Sequence, residues 1–515
     1  MLDRLARQIA RDPLLVATFA LLWAACLFPI WYPRFLPLAY LPNQLAAVSN
    51  WHHYADPAWN LARFYQLHHA PLPYWGYQGV LHFLSYVFPI ESANKIYLSL
   101  YALGLPVAAA LLAQRMGRSP WLALFVFPLV FSMNIGHGYI AFCGGVTLAL
   151  FAMVALDRFL EAPTRLSGAA VAVLTLALYF THLLAWLYIG LATLVLLASH
   201  GWHPRRIGAA FGLLLPSVMV ALWAVRVATH GHGALTAPLA WDAQTQPLLL
   251  TMIQVPNQLL YAWQDSRAYW VLLGLCAIWT ILLLGARTDA HDTEARRHGF
   301  VYRLELIFAL TALGVCLLPV RIVQPAELSL ANGRFVPVAL TLLFLLPHGG
   351  LVGRRKLWLI PVAVLALYYP IRLGQKWKEF DARAVSLRRL LAEQPRGAST
   401  LTLYDGDGDD PAIMKQLQPL LAFHAYPQFY GGGFDPWALA DGFPLSVRKS
   451  AALPAPAWRK PETFVADEHA LAYDFVLTAN ETQDYAVFGP NDSVRFPLLR
   501  KDGVWRLYRV RHESP

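Results

Sequence analysis

The chain has 515 residues, of which 57% are apolar and only 14% charged, and its mean hydropathy is +0.43. A soluble globular chain carries about 25% charged residues, so much of this surface faces something other than water. The net charge of +10 is spread over short basic clusters between apolar blocks, which is the pattern of membrane loops; nucleic acid is excluded as a partner.

Apolar blocks run approximately over 14–31, 92–113, 120–134, 138–157, 167–180, 183–199, 207–228, 269–286, 304–320, 335–347 and 357–373. They approach the ~20 residues that cross a bilayer. Arg4, Arg7 and Arg11 precede the first block and no small-residue cleavage site follows it, so it reads as an uncleaved first helix. Cys26, Cys143, Cys276 and Cys316 all lie inside apolar blocks, which leaves no disulfide framework and no zinc motif.

Charge orients the blocks. Alternate gaps hold Arg4/Arg7/Arg11, Arg115/Arg118, Arg158/Arg165, Arg205/Arg206, Arg287/Arg296/Arg297/Arg303 and Arg354/Arg355/Lys356, and the gaps between them are sparse in Lys and Arg. The positive-inside rule then puts the N-terminus in the cytoplasm and the C-terminus outside it. Beyond 374 charges rise and nearly balance, and Gly/Pro turns appear. A helix is expected over 381–395, with strand-like runs at Thr400–Tyr404, Phe475–Thr478 and Val504–Val510. The expected architecture is an α-helical polytopic membrane protein. It has about eleven transmembrane helices over 1–374, an outer loop 32–91 carrying surface helices, and a soluble extracytoplasmic α/β domain over 375–515 that folds as a unit.

An outward site draws on outward acids, which in the membrane part are Asp56, Glu91, Asp242, Asp265 and Glu327. The middles of the helices carry no Asp or Glu, which argues against an ion-coupled transporter. Asp56 lies near His52, His53, His68 and His69. It reads as a general base or as the N-cap of a helix opened by Pro57, and the two roles are compatible. Adjacent histidines on a helix point apart, which argues against a metal site there.

Glu91 and Lys95 have i,i+4 spacing, which suits an interfacial ion pair; the alternative is that Lys95 holds a lipid phosphate. Arg321 and Arg334 flank the third outer segment, either as phosphate clamps or as interfacial anchors. The run Asp405-Gly406-Asp407-Gly408-Asp409-Asp410 lacks the glycine and the final acid of a calcium loop, since Gln416 stands in the latter place, and it reads as a solvated turn. Gly431, Gly432 and Gly433 follow His424 and Tyr426. They form a tight loop, or else they let backbone approach a ligand closely. No Walker loop and no Ser/His/Asp signature is present.

Several stretches together resemble bacterial polytopic glycosyltransferases of the C superfamily. Tyr40-Leu41-Pro42-Asn43-Gln44-Leu45 is similar to the acid and Pro-Asn-His-Leu-like run that opens their first outer loop. Ala331-Asn332-Gly333-Arg334-Phe335 resembles the Arg-Phe start of a late helix. His424-Ala425-Tyr426 through Gly433-Phe434, and the closing Leu507-Tyr508-Arg509, also fit. The resemblance spreads over most of the chain through short motifs.

It implies transfer of a sugar from a polyprenyl-phosphate donor to a glycan or lipid acceptor, at the outer face of the bacterial inner membrane. An acid of the first outer loop acts as base, the acceptor attacks C1 with inversion, and cations help the phosphate leave. On this chain the implied base is Asp56, and the implied substrate contacts are Lys95, Arg321, Arg334, Asn43 and His424. It fixes no cofactor, and a divalent metal is compatible with it. The chain departs from the family at two places: the acid falls on Tyr40 and the His on Gln44. A second class therefore stays open, a non-catalytic membrane subunit of envelope polysaccharide assembly that binds lipid or glycan; a transporter ranks last.

Overall fold

The computed structural model describes residues 12–67, 73–231, 266–285, 302–322, 328–348, 353–405, 419–438, 445–447, 451–457, 461–480 and 492–512, with isolated positions between them. Asp242, Asp265, Glu327, His68, His69 and the acidic run beyond Asp405 lie outside the described residues.

Inside a bilayer the backbone has no water to bond, so long apolar runs satisfy their N–H and C=O groups as helices. Among the described residues, six helices are long and apolar enough to cross a membrane: Pro13–Trp31, Ile90–Arg115, Ile140–Glu161, Pro204–Arg226, Arg267–Leu284 and Arg355–Leu391. Arg165–Thr181, Leu183–Ser199 and Ala331–Phe344 are shorter apolar helices. The α-helix Ile360–Leu391 is continuous, so the last apolar block and the start of the expected 381–395 helix are one element.

The block at 120–134 is not a regular α-helix. It forms 3₁₀ segments at Pro120–Val126 and Pro128–Phe131, then a single α-turn, Met133–Gly136. Pro128 removes an N–H within the run and restricts Phe127 before it. Leu122 through Phe127 and Leu129 through Phe131 are buried, which explains why the run is apolar on every side without showing a helical stripe.

The chain divides into two compact units: Met1–Pro29, Leu98–Ile135 and Tyr139–Leu373 form the first; Ile30–Tyr97, Gly136–Gly138 and Gly374–Pro515 form the second. In the first unit, Ile140–Glu161 packs closely on Leu183–Ser199 at Gly145, where an added Cβ would lie 2.8 Å from the Ala185 Cβ. Charged groups tie helix ends together. The fully buried Asp157 carboxylate accepts from Arg115, Arg303 and His200, and Arg118 binds Glu305 at 2.6 Å. Asp12 takes the Trp121 indole N–H at 2.7 Å and Lys356 at 3.2 Å. Removing one partner of so buried an acid strands its charge, so these residues act as a set. Short antiparallel pairs join Ala243–Gln244 to Arg321–Ile322 and Arg321–Ile322 to Leu328–Ser329.

The second unit holds a four-stranded sheet. Thr400–Asp405 runs parallel to Phe475–Asn480, which is antiparallel to Trp505–Arg509, with Leu498–Asp502 at the edge. The three expected strands are all present and adjacent, and the edge strand is additional. Its core is drawn from two distant stretches: Trp59, Leu61, Phe64 and Tyr65 of the segment 32–91 pack with Leu401 and Val476 of the tail. Tyr65–Leu67 also pairs antiparallel with Leu445–Val447, and the Gln428 amide donates to the Tyr65 hydroxyl at 2.6 Å. The tail alone therefore does not complete its own core.

Candidate functional site

In the second unit, the local sequence dictates the Asp56 turn. Asp56 has extended backbone and caps a 3₁₀ turn, Pro57–Trp59; its Oδ1 accepts from the Ala58 N–H at 3.0 Å, and Pro57 needs no partner at the first helical position. The capping role is thus observed. Behind it lies an aromatic stack: His53 on Trp59 at 3.9 Å and His82 on Trp51 at 4.3 Å, with His52 Nδ1 bonded to the Ser85 hydroxyl at 2.9 Å.

Burial pushes the imidazoles of His52, His53 and His82 below their ordinary value. Repulsion from His52 adds to this at His53 and His82, while Asp56 opposes it at His53. The fold therefore favours neutral imidazoles. Their contribution to stability is complete above the unfolded value near 6.5 and is lost as pH falls below it, because the unfolded chain binds more protons there. The melting temperature of the full chain is expected to drop between about pH 7.5 and about pH 5. The double variant His52→Gln, His82→Gln should flatten that slope, as thermal melts across the range will show. An unchanged slope would assign acid sensitivity to other groups.

A charge cluster occupies the same unit. Lys95 is buried, and its ammonium donates to the Pro33 carbonyl at 2.6 Å and lies 5.7 Å over the Trp31 ring. Glu91 accepts from the Tyr430 hydroxyl at 2.7 Å. Burial, then the charge of Glu91, holds the Tyr430 phenol well above its ordinary value, so it stays a donor. Asp381 is buried and accepts from the Phe35 N–H at 2.8 Å and from Lys378 at 2.7 Å. Glu91 and Asp381 both act electrostatically on Lys95, as do the cations Arg34 and Lys378. Glu91 thus acts on Lys95 through its charge, while its direct bond goes to Tyr430 and that of Lys95 to Pro33. The i,i+3 spacing of Lys378 and Asp381 on one helix was the visible signal for their ion pair.

Asn43 sits in the first turn of the helix Leu41–His52, with Pro42 beside it. It is buried, and its Oδ1 has no hydrogen-bond partner. The neighbouring Gln44 donates from Nε2 to the Gly138 carbonyl at 2.8 Å, and its Oε1 likewise has none. Gly138 adopts φ +81°, and an added Cβ would lie 2.9 Å from the Tyr40 nitrogen, so this approach needs glycine.

His424 is also buried, and its Nδ1 meets the Asp435 carboxylate at 2.6 Å. The other Asp435 oxygen accepts from the Trp437 N–H at 3.0 Å, so the pair fixes the turn after the glycine run. Those glycines meet protein backbone: Gly433 donates to the Trp59 carbonyl at 2.9 Å. Asp56, Lys95, Asn43 and His424 thus belong to four distinct local groupings of one unit.

In the first unit, Arg334 lies in the first turn of Ala331–Phe344, buried, with its guanidinium 3.7 Å over the Tyr139 ring and Nη1 3.5 Å from His182 Nε2. Its backbone carbonyl accepts from the Asn134 amide at 2.9 Å. Tyr139 and His182 were not singled out from sequence, because they contact Arg334 only through tertiary packing. Arg321 is exposed on its short strand. Among the described residues there is no group of three or more His, Cys, Asp or Glu suited to a metal ion.

The chain matches no protein-family model and no curated protein. Six chains of known structure match it. One is the single-particle cryo-EM structure of the arabinofuranosyltransferase AftD from Mycobacteria, with a TM-score of 0.51 and 14% sequence identity. The match covers 96% of this chain and 42% of that one, so this chain spans less than half the length of the protein it resembles. The likeness is one of fold: a helical membrane protein with the fold of a membrane glycosyltransferase.

Proposed function

We propose that the protein moves a sugar from a polyprenyl-phosphate-linked donor to an envelope acceptor, glycan or lipid, on the extracytoplasmic face of the bacterial cytoplasmic membrane. The observation that supports this reading is the likeness of fold to a membrane glycosyltransferase along nearly the whole chain. Nucleotide sugars are cytoplasmic, so an outward site needs a lipid-linked donor. Asp56 takes the proton of the acceptor hydroxyl, the acceptor oxygen attacks C1, and the C1–O bond to phosphate breaks, the oxygen leaving with the electron pair. The proposed phosphate contacts are cations, either Lys95 of the second unit or Arg321 and Arg334 of the first, since a cation stabilises the charge that develops on the leaving group. Asn43 is the proposed contact to a sugar hydroxyl. His424 contributes by holding its turn through Asp435.

A second reading has its own observation. Tyr40 and Gln44 stand where the family acid and histidine would be, and neither is a carboxylate or an imidazole. A non-catalytic subunit of polysaccharide assembly that binds lipid or glycan fits that departure.

Turnover separates the two. The purified chain in lipid nanodiscs, given polyprenyl-phosphate sugars and membrane acceptors, is expected to release polyprenyl phosphate only when an acceptor is present. Arg334→Gln should raise KM for the donor about 10–100-fold, since a charged hydrogen bond is worth about 1.5–3 kcal/mol. Tight lipid binding with no release across the donor panel would leave the non-catalytic reading standing.

A further inference from the structure

The segment from Trp75 to Pro89 contains no Asp, Glu, Lys or Arg. Its α-helix, Trp75–Leu84, has one buried face, formed by Tyr77, Gln78 and Leu81. The opposite face and the turn that follows are strongly exposed: Phe83 is 74% accessible, Tyr86 69% and Val87 76%, with Val80 and Phe88 also outward. Val80 and Phe83 lie three apart on the helix, and Tyr86, Val87 and Phe88 extend the exposed apolar edge into the turn after it.

The inner face shows where the segment sits. The Tyr77 hydroxyl donates to the Asn94 side chain at 2.7 Å, and the Tyr77 ring packs edge-on against Tyr97 at 4.9 Å. Asn94 and Tyr97 lie in the first two turns of Ile90–Arg115, one of the six helices able to cross a membrane. That helix has 26 residues, more than the ~20 that cover a hydrocarbon core, so a crossing leaves turns at its ends for the membrane boundary. Phe88 is two residues from Ile90, within about 7 Å of the start of the spanning helix. On its other flank the segment is fixed to Leu41–His52 by the Trp51–His82 stack and the His52–Ser85 bond.

We propose that Val80, Phe83, Tyr86, Val87 and Phe88 form an interfacial anchor that dips into the bilayer beside the spanning helix, the partner being phospholipid. An uncharged, aromatic-rich helix edge next to a membrane crossing matches the headgroup–acyl boundary, where Tyr and apolar side chains are favoured together. The anchor does not depend on the transferase reading. By contrast, Leu41–His52 is mostly buried within its own unit and presents no such edge.

The test uses the full chain in nanodiscs of phosphatidylcholine and phosphatidylglycerol, with Cys276 and Cys316 replaced by Ser. A polarity-sensitive fluorophore is attached at Phe83→Cys or Val87→Cys, and at Leu499→Cys on the exposed tail strand as reference. Both anchor probes are expected to emit to the blue of the reference, to be quenched by nitroxide-labelled lipid, and to be shielded from aqueous iodide. Iodide quenching equal to that at Leu499 would overturn the proposal. So would shielding from both quenchers, which would mean that protein covers the edge.

Discussion

Asp56→Asn is expected to lower turnover by about 10²–10⁴ while expression and melting stay near wild type. The two roles of Asp56 respond differently to the same substitution. The cap is one hydrogen bond from the Ala58 N–H to Oδ1, and an asparagine oxygen accepts it nearly as well. Base strength is abolished, because an amide does not take up a proton near neutral pH. Asp56→Ala removes both functions and should additionally cost about 1 kcal/mol at the turn. A pair of measurements, transfer rate and thermal melting, therefore resolves the base from the cap. Wild-type transfer by Asp56→Asn at equal protein level would retire Asp56 as the base and direct the same substitution to Asp242, Asp265, Glu327 and Glu91.

Gly433→Ala is expected to destabilise the second unit by roughly 2–5 kcal/mol, the sum of left-handed strain and overpacking. Gly433 has φ +74°, where a side chain is strained regardless of space. Space is also absent: an added Cβ would run into the Ala398 carbonyl, far inside the 3.0 Å that real Cβ atoms keep. That backbone cannot retreat, since Ser399 next to it is held by Asp474 through its N–H at 2.7 Å and its hydroxyl at 2.8 Å. Gly431→Ala is the control, because its Cβ would meet only the Pro395 oxygen at 3.9 Å. Denaturant melts of both variants should place Gly433→Ala far below Gly431→Ala. Equal stability would mean that the loop relaxes at little cost.

The elements that could be read from sequence were those whose signal is local. Apolar runs gave the long helices, and alternating β-branched and aromatic residues gave three of the four sheet strands. Leu498–Asp502 escaped notice because an edge strand, here Leu-Leu-Arg-Lys-Asp, carries charge instead of an apolar alternation. The run at 120–134 misled because a segment buried on all sides looks apolar whatever its backbone geometry. The candidate sites divide along the same line. Asp56 as a cap followed from Asp-Pro alone. The Tyr430 bond to Glu91 and the Tyr139 ring under Arg334 join residues distant in the chain, the Asp435 bond to His424 spans 11 residues, and no spacing rule announces them.

The divided core of the second unit also sets a timetable for synthesis. The Ser49 hydroxyl bonds to the Phe429 carbonyl, 380 residues further along the chain. At about 5–20 residues per second, a ribosome needs roughly 20–75 s to go from one to the other. Through that interval Trp59, Leu61, Phe64 and Tyr65 have been made, but the strands that will bury them have not. The nascent first loop therefore waits with its aromatic residues uncovered, open to proteases and in need of a chaperone. A ribosome that stalls between residues 391 and 400 leaves a chain whose long apolar helices have all been made but whose second unit cannot close.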